Sequence, residues 1–305
     1  MKIVCTGGTG FLGAGLIPAL TAQGHTVVLL TRRQMGKPSP PDAKVRTVFW
    51  NGRDGGAWAG EIDEAGAVIN FAGEPLDQKR WTPAQKTLIR ESRVNATRAI
   101  VKAIAGASRR PAVLINASAV GYYGDTGDAP VTEKSPPGGG LLAETCIRWE
   151  AEAWAAEKLG VRTVVLRSGP ALGEKGGFLP KMVLAFRLYS GGPFGSGRQW
   201  FPWVHRDDFV SVVLHTLADS SYSGPINVAA PEAVTNRQFC TALGKVLRRP
   251  CWLPVPEAVL KVALGEMASM VLEGQYVIPA RLQELGFPFR YPDLVPALMD
   301  VLRHP

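Results

Sequence analysis

The stretch KIVCTGGTGFLGAGLIPAL constrains the fold of this chain more than any other. A short apolar run leads into Gly7, Gly10 and Gly13, spaced GxxGxxG, and a helical pattern follows. Glycine in these places lets the backbone turn tightly, approach a pyrophosphate closely and lay the next helix against the sheet. The helix N-terminus then offers free amides to the anion. With TVVLLT as the second strand, the segment reads as a βαβ unit for a dinucleotide. At the end of that second strand, where an NAD-binding unit usually carries an acid, the sequence has Thr31, Arg32 and Arg33. Two guanidiniums suit a 2′-phosphate, so NADP(H) is the expected cofactor. Arg32 is the better candidate; Arg33 has the plain alternative of facing solvent.

The same alternation continues along the chain. KIVCT, TVVLLT, VRTVFW, AVIN, AVLINAS and VRTVVLR read as strands, and helical segments separate them. Crossovers of this kind predict an α/β fold, a doubly wound parallel sheet with helices on both faces. From about residue 170 the pattern loosens into Gly, Pro and Trp, which leaves room for a smaller C-terminal substrate lobe. The expected division is a Rossmann-type domain over 1–170, with late strands from about 205–230, and a lid region over 171–305.

Composition narrows the function classes. The chain has 34 basic and 26 acidic residues, net +8, with the basic residues scattered rather than blocked. That balance favours anionic small partners, and no nucleic-acid-binding signature accompanies it. Cys5, Cys146, Cys240 and Cys251 stand far apart with no CxxC pair, so neither a disulfide framework nor a metal site is expected. The N-terminus lacks the sections of a signal peptide, and no apolar run reaches the roughly 18 residues of a membrane span. The expectation is a cytoplasmic protein with no membrane partner.

TGGTGFLG, NFAG at 70–73, SRVNATRAI at 92–100 and NASAVGYYGD at 116–125 resemble the extended short-chain dehydrogenase/reductase superfamily, which includes sugar-nucleotide epimerases and reductases. LRSGPALG at 166–173, WVHRDDF at 203–209 and GPINVAAPEAVTNRQF at 224–239 carry the resemblance over most of the chain. NFAGEPL, SAVGYYGD, IRWEAEA, GSGRQWFPWVHRDD and ARLQELGFPFRYPDL are similar to an atypical epimerase-like subfamily typified by bacterial YfcH. The resemblance implies NADP(H) lying across the strand ends. It assigns Gly7, Thr9, Gly10, Phe11, Leu12 and Gly13 to the phosphate loop and Asn70, Ala72 and Gly73 to the loop after the fourth strand. Ser118 takes the place of the family's serine, and Asn95, Ala117, Arg167 and Ser168 lie beside the cofactor. Asn70 and Asn95 have a plain alternative, satisfying loop amides.

What the resemblance also implies is missing. The superfamily's general acid/base is a tyrosine, supported by a lysine four residues later. No tyrosine occurs between Tyr123 and Tyr189, and the stretch LLAETCIRWEAEAW at 141–154 has no lysine. Cys146 and Glu150 fall near the two positions. Substitute proton carriers are Tyr122, Tyr123, Glu150 as a carboxylic acid if buried, and His205, with Ser118 beside them. Each has a structural alternative: Tyr123 as packing, Glu150 as a partner of Arg148 or Arg167, His205 as an orienter of Asp207 and Asp208. Trp200, Trp203 and Arg198 suit a loop facing a ring-bearing anionic ligand, or a loop stapled to the core. The expected function is an NADP(H)-binding oxidoreductase or epimerase acting on a small or nucleotide-linked substrate. The competing reading is a non-catalytic NADP(H)-binding regulatory or scaffolding protein linked to cell division. Helices at about 82–107 and 141–159 leave room for a homodimer.

Overall fold

The computed structural model describes residues 1–32 and 43–302. In chain order its first half runs β1 (Lys2–Thr6), α1 (Phe11–Ala22), β2 (Thr26–Thr31), β3 (Val45–Phe49), β4 (Ala67–Asn70), α2 (Pro83–Gly106), β5 (Val113–Ala119), β6 (Pro130–Val131), α3 (Leu141–Trp154) and β7 (Arg162–Ser168). It continues through β8 (Ala171–Leu172), α4 (Leu179–Arg187), β9 (Val204–His205), α5 (Arg206–Ala218), β10 (Gly224–Val228) and α6 (Asn236–Leu247). The last elements are α7 (Glu257–Leu264), α8 (Ser269–Leu272), β11 (Tyr276–Val277), α9 (Ala280–Glu284) and α10 (Leu294–Leu302).

Seven parallel strands form the main sheet in the order β10-β7-β5-β4-β1-β2-β3. The expected α/β class and doubly wound sheet are therefore present. Alternate residues of a strand point to opposite faces, and the apolar strands feed two cores in that way. Ile3 and Cys5 of β1 join Leu16 and Leu20 of α1 and Phe209 and Val213 of α5 on one face. Val4, between them, joins Ile100 and Ile104 of α2 and Ala153 of α3 on the other. A third core, with Phe186, Trp203, Phe239 and Leu298, belongs to the C-terminal elements.

Helix starts follow local chemistry. Thr82 caps α2 by accepting a hydrogen bond from the Gln85 amide at 3.2 Å, and Pro83 sits in the first turn where no amide is needed. Thr235 and Gln238 cap α6 reciprocally. Because the sheet is parallel, the ends of β1, β4, β5, β7 and β10 lie along one edge: Thr6 pairs with Asn70, Asn70 with Asn116, Ala119 with Ser168, and Ser168 with Val228. Strand order reverses between β1 and β4, which opens a crevice at that edge.

Candidate functional site

The crevice is shaped by backbone. Gly7 has φ +67°, and a Cβ there would stand 2.4 Å from the Phe71 carbonyl oxygen. A Cβ on Gly13 would stand 2.3 Å from the Gly8 Cα, so α1 presses directly on the loop. Gly10 precedes α1 without a side-chain cap, and Thr9 and Gly10 are exposed. The first amides of α1 therefore face the crevice with no side chain competing for them, a cradle that fits a pyrophosphate. Phe11 and Leu12 turn the other way. The Phe11 ring packs under Gly173 and Gly176, and Leu12 packs on the core.

Arg32 follows β2 and is exposed, with no acid at 31 or 32. Arg33 lies outside the described residues. Asn70 is deeply buried and fully used within the protein. Its Oδ1 accepts from Thr6 Oγ1 at 2.7 Å and from the Ala72 amide at 3.3 Å, while its Nδ2 donates to Thr97 Oγ1 at 2.8 Å and Asn116 Oδ1 at 2.7 Å. Asn70 thus ties β1, β4, β5 and α2 together beneath the crevice. Asn95 is half-buried and accepts from Arg98 at 3.2 Å, and Gly73 is exposed at the crevice.

A polar cluster lies at the ends of β5 and β7, against α3. Arg167 and Glu150, with side chains only 5% and 3% exposed, form a two-pronged ion pair: Nε to Oε1 at 2.9 Å and Nη2 to Oε2 at 2.8 Å. Ser118 Oγ donates to the same Oε1 at 2.6 Å. Nη1 of Arg167 donates to the Tyr123 hydroxyl at 3.0 Å, and that hydroxyl donates to Asn227 Oδ1 at 2.7 Å. Burial opposes the charge on Arg167, but the hydrogen bonds and attraction of Glu150 outweigh it and hold the guanidinium above its usual value. Burial pushes Tyr123 up to about 12 against the pull of Arg167, so it stays a phenol at neutral pH. Cys146 is pushed up to about 11 by burial and then by Glu150, which leaves an inert thiol. Tyr122 differs from these: it is half-buried, its ring lies 3.5 Å from the Arg167 guanidinium carbon, and its hydroxyl has no hydrogen-bond partner among the described residues. Ala117 is half-buried on β5, and Ser168 Oγ is turned to the Gly169 carbonyl at 2.7 Å.

His205 belongs to a different neighbourhood. Its Nδ1 accepts from the Asp207 amide at 3.1 Å and caps α5, its Nε2 stands 3.4 Å from Asp300 of α10, and its ring lies against Tyr291 at 3.9 Å. None of these contacts reaches Ser118, Glu150 or the tyrosines. Of the two readings of its loop, Trp203 follows the one that staples it to the core: it is buried among the C-terminal elements. Trp200 is half-buried and stacks on Tyr276 at 4.1 Å, a loop staple, while Arg198 is exposed. Two adjoining cavities, of about 670 and 410 Å³, share Gln199 and Leu272. Their walls carry Glu257, Glu266, Glu273, Asp125 and Asp128 against the cations Lys261 and Arg198. Two neighbours of the cluster and the crevice carry no local sequence signal: Asn227, which holds Tyr123, and Arg93, a half-buried cation beside Gly73.

Residues 3–229 match the NAD dependent epimerase/dehydratase family, and residues 255–301 match a domain of unknown function, DUF1731. The chain is similar to the Arabidopsis thaliana epimerase family protein SDR39U1 homolog, chloroplastic, with 41% identity over 99% of this chain and 87% of that protein. The epimerase family protein YfhF of Bacillus subtilis is 40% identical over 99% of this chain and 98% of its own length. Among solved structures, the human epimerase family protein SDR39U1 (isoform 2) with NADPH aligns over the whole of both chains, with a TM-score of 0.89 and 33% identity. A nucleoside-diphosphate sugar epimerase from Corynebacterium glutamicum aligns over 99% of this chain and 58% of that one, with a TM-score of 0.80 and 33% identity.

Proposed function

Because the chain belongs to the NAD dependent epimerase/dehydratase family, we propose that it binds NADP(H) in the β1–α1 crevice and exchanges hydride with a small, hydroxyl-bearing or nucleotide-linked substrate. The observation that carries the reading is the side-chain-free cradle of Gly7, Gly10 and Gly13 at the switch point, with Thr31 and the exposed Arg32, and no acid at either position, at the end of β2. NADPH bound to the human relative supports it. When bound, the nicotinamide supplies or accepts the hydride; the chain supplies position and a proton.

Tyr122 is the proton carrier in this reading. Ser118, Tyr123, Glu150 and His205 are buried; Ser118 is committed to Glu150, Glu150 to Arg167, and Tyr123 to Arg167 and Asn227, whereas the Tyr122 hydroxyl has no hydrogen-bond partner among the described residues and its ring is held by the Arg167 guanidinium. The Glu150–Arg167 pair acts as a fixed support rather than as an acid. Carboxylates outnumber cations in the two cavities, which suits substrate hydroxyls as donors better than the anionic group expected from composition. A homodimer through α2 and α3 would use Leu88 and Ile147, which are exposed, since Ile89 and Val94 are buried. Four free cysteines suit a reducing compartment such as the cytoplasm.

The test is an anaerobic panel of carbonyl compounds and sugar nucleotides on the NADPH-loaded protein, followed by loss of reduced-cofactor absorbance. Tyr122→Phe is expected to slow any turnover by about 10²- to 10⁴-fold with NADPH affinity unchanged. Unchanged turnover would remove Tyr122 from the reaction, and tight binding with no oxidation across the panel would favour a non-catalytic binding protein.

A further inference from the structure

The outer face of α4 and the chain that follows α6 form an apolar surface far from the crevice chemistry. α4 buries Leu179, Met182, Val183 and Phe186 in the C-terminal core, which leaves Leu184 and, one turn later, Leu188 on its outer side. Tyr189 comes next in the chain, and Trp252 stands beside it: the indole Nε1 donates to the Tyr189 carbonyl at 3.0 Å, and the Trp252 amide donates to the Gly191 carbonyl at 3.2 Å. These four large side chains are 56% to 68% exposed. Single exposed apolar residues are ordinary on any surface, but here they adjoin one another.

The charge around this surface has one sign. Residues 175–206 and 233–256, which contain both halves of it, include no Asp or Glu. They bring the exposed Arg187 between the two leucines and the exposed Arg248 at the end of α6. Arg249 follows, with its guanidinium carbon 4.8 Å from the Tyr189 ring centroid. A second copy docked about a two-fold axis would set these guanidiniums against themselves. Side chains that stand proud of a surface enter the acyl boundary of a bilayer without needing a shaped groove; tryptophan and tyrosine rest at the headgroup level, and arginine meets the lipid phosphates. We propose that this face binds an anionic lipid bilayer as a peripheral contact. The proposal revises the expectation of no membrane partner, which rested on the lack of a spanning run: among the described residues no helix is long and apolar enough to cross a membrane, and adsorption through this face needs none.

Co-sedimentation of the full chain with sucrose-loaded vesicles tests it, comparing pure phosphatidylcholine with an equal mixture of phosphatidylcholine and phosphatidylglycerol. The protein is expected to pellet with the mixed vesicles and to stay in solution with the neutral ones, and added salt should weaken the association. Leu188→Ser combined with Trp252→Ser is expected to weaken it roughly tenfold or more, and Arg187→Gln combined with Arg248→Gln by a similar factor. All four side chains are exposed, so the unfolding midpoints of both double variants should stay near that of the wild type. No pelleting with the mixed vesicles would overturn the proposal and leave the face to an acidic protein partner. Pelleting that both double variants leave unchanged would also overturn it, since the net charge of +8 would then act without this face. A dimer in sedimentation velocity that Leu188→Ser with Trp252→Ser dissociates would overturn it in favour of a second copy.

Discussion

Glu150 sits where a carboxylic acid was expected to act as a proton donor, yet its two oxygens are occupied by Arg167 and Ser118. Its contribution is to neutralise a buried guanidinium. Truncation leaves that charge uncompensated, so Glu150→Ala is expected to cost about 3–5 kcal/mol, read as a fall in the urea midpoint. A loss within a few tenths of a kcal/mol would contradict the pairing. This pair could only half be read in the sequence. Glu150 and Arg167 are 17 positions apart and Ser118 a further 32 from Glu150, and no local pattern sets their contact; only the parallel register of β5 and β7 brings Ser118 alongside Arg167. Arg93 is illegible for a related reason: a lone arginine within an ordinary helical pattern reads as a solvated face, and its place beside Gly73 and the Trp149 ring is visible only in three dimensions. Trp203 had two readings in the sequence, since tryptophan between turn residues serves a core as readily as a ligand, and its burial selects the core.

At the scale of elements, the strands and crossover helices were legible because their signals are local: β-rich runs of five to seven residues, a proline after a threonine cap, glycines at fixed spacing. The stretch at 141–154 coincides with α3. The joint between β1 and α1 is the element on which the site depends. Gly13 has backbone, not a movable side chain, within 2.3 Å of where a Cβ would go. Gly13→Ala is therefore expected to push α1 off the loop and abolish cofactor binding, with a lower melting temperature; retained binding would show that the loop can yield. Along α2, Ile100 is deeply buried between helix and sheet, and Ile100→Ala should cost about 2–5 kcal/mol through lost burial and the cavity left behind. The joins among elements in the C-terminal half were less legible. There, Gly and Pro punctuate short pieces, and their packing is set by tertiary contacts such as Trp200 on Tyr276.

For the molecule as a whole, His205 links the sheet side to the C-terminal helices through α5, Asp300 and Tyr291. Burial lowers its pKa below the ordinary 6.5, opposed by Asp207, Asp300 and Asp208 and aided by Arg206. The unfolded chain therefore binds a proton more readily than the folded one. Stability is full above about pH 6.5 and falls as the pH drops from there toward the depressed folded value. A His205→Asn variant should flatten that part of the stability curve, measured by urea titrations at several pH values; an unchanged slope would exclude His205 as its source. No helix among the described residues is long and apolar enough to cross a membrane. In the proposed binding mode, one end of the crevice reads a 2′-phosphate through Arg32. That contact is tested most directly by fluorescence titration of wild type and Arg32→Ala with NADPH and NADH. The wild type is expected to prefer NADPH and the variant to lose most of that preference, NADH affinity changing little; equal wild-type affinity for the two cofactors would rule out a 2′-phosphate contact at Arg32.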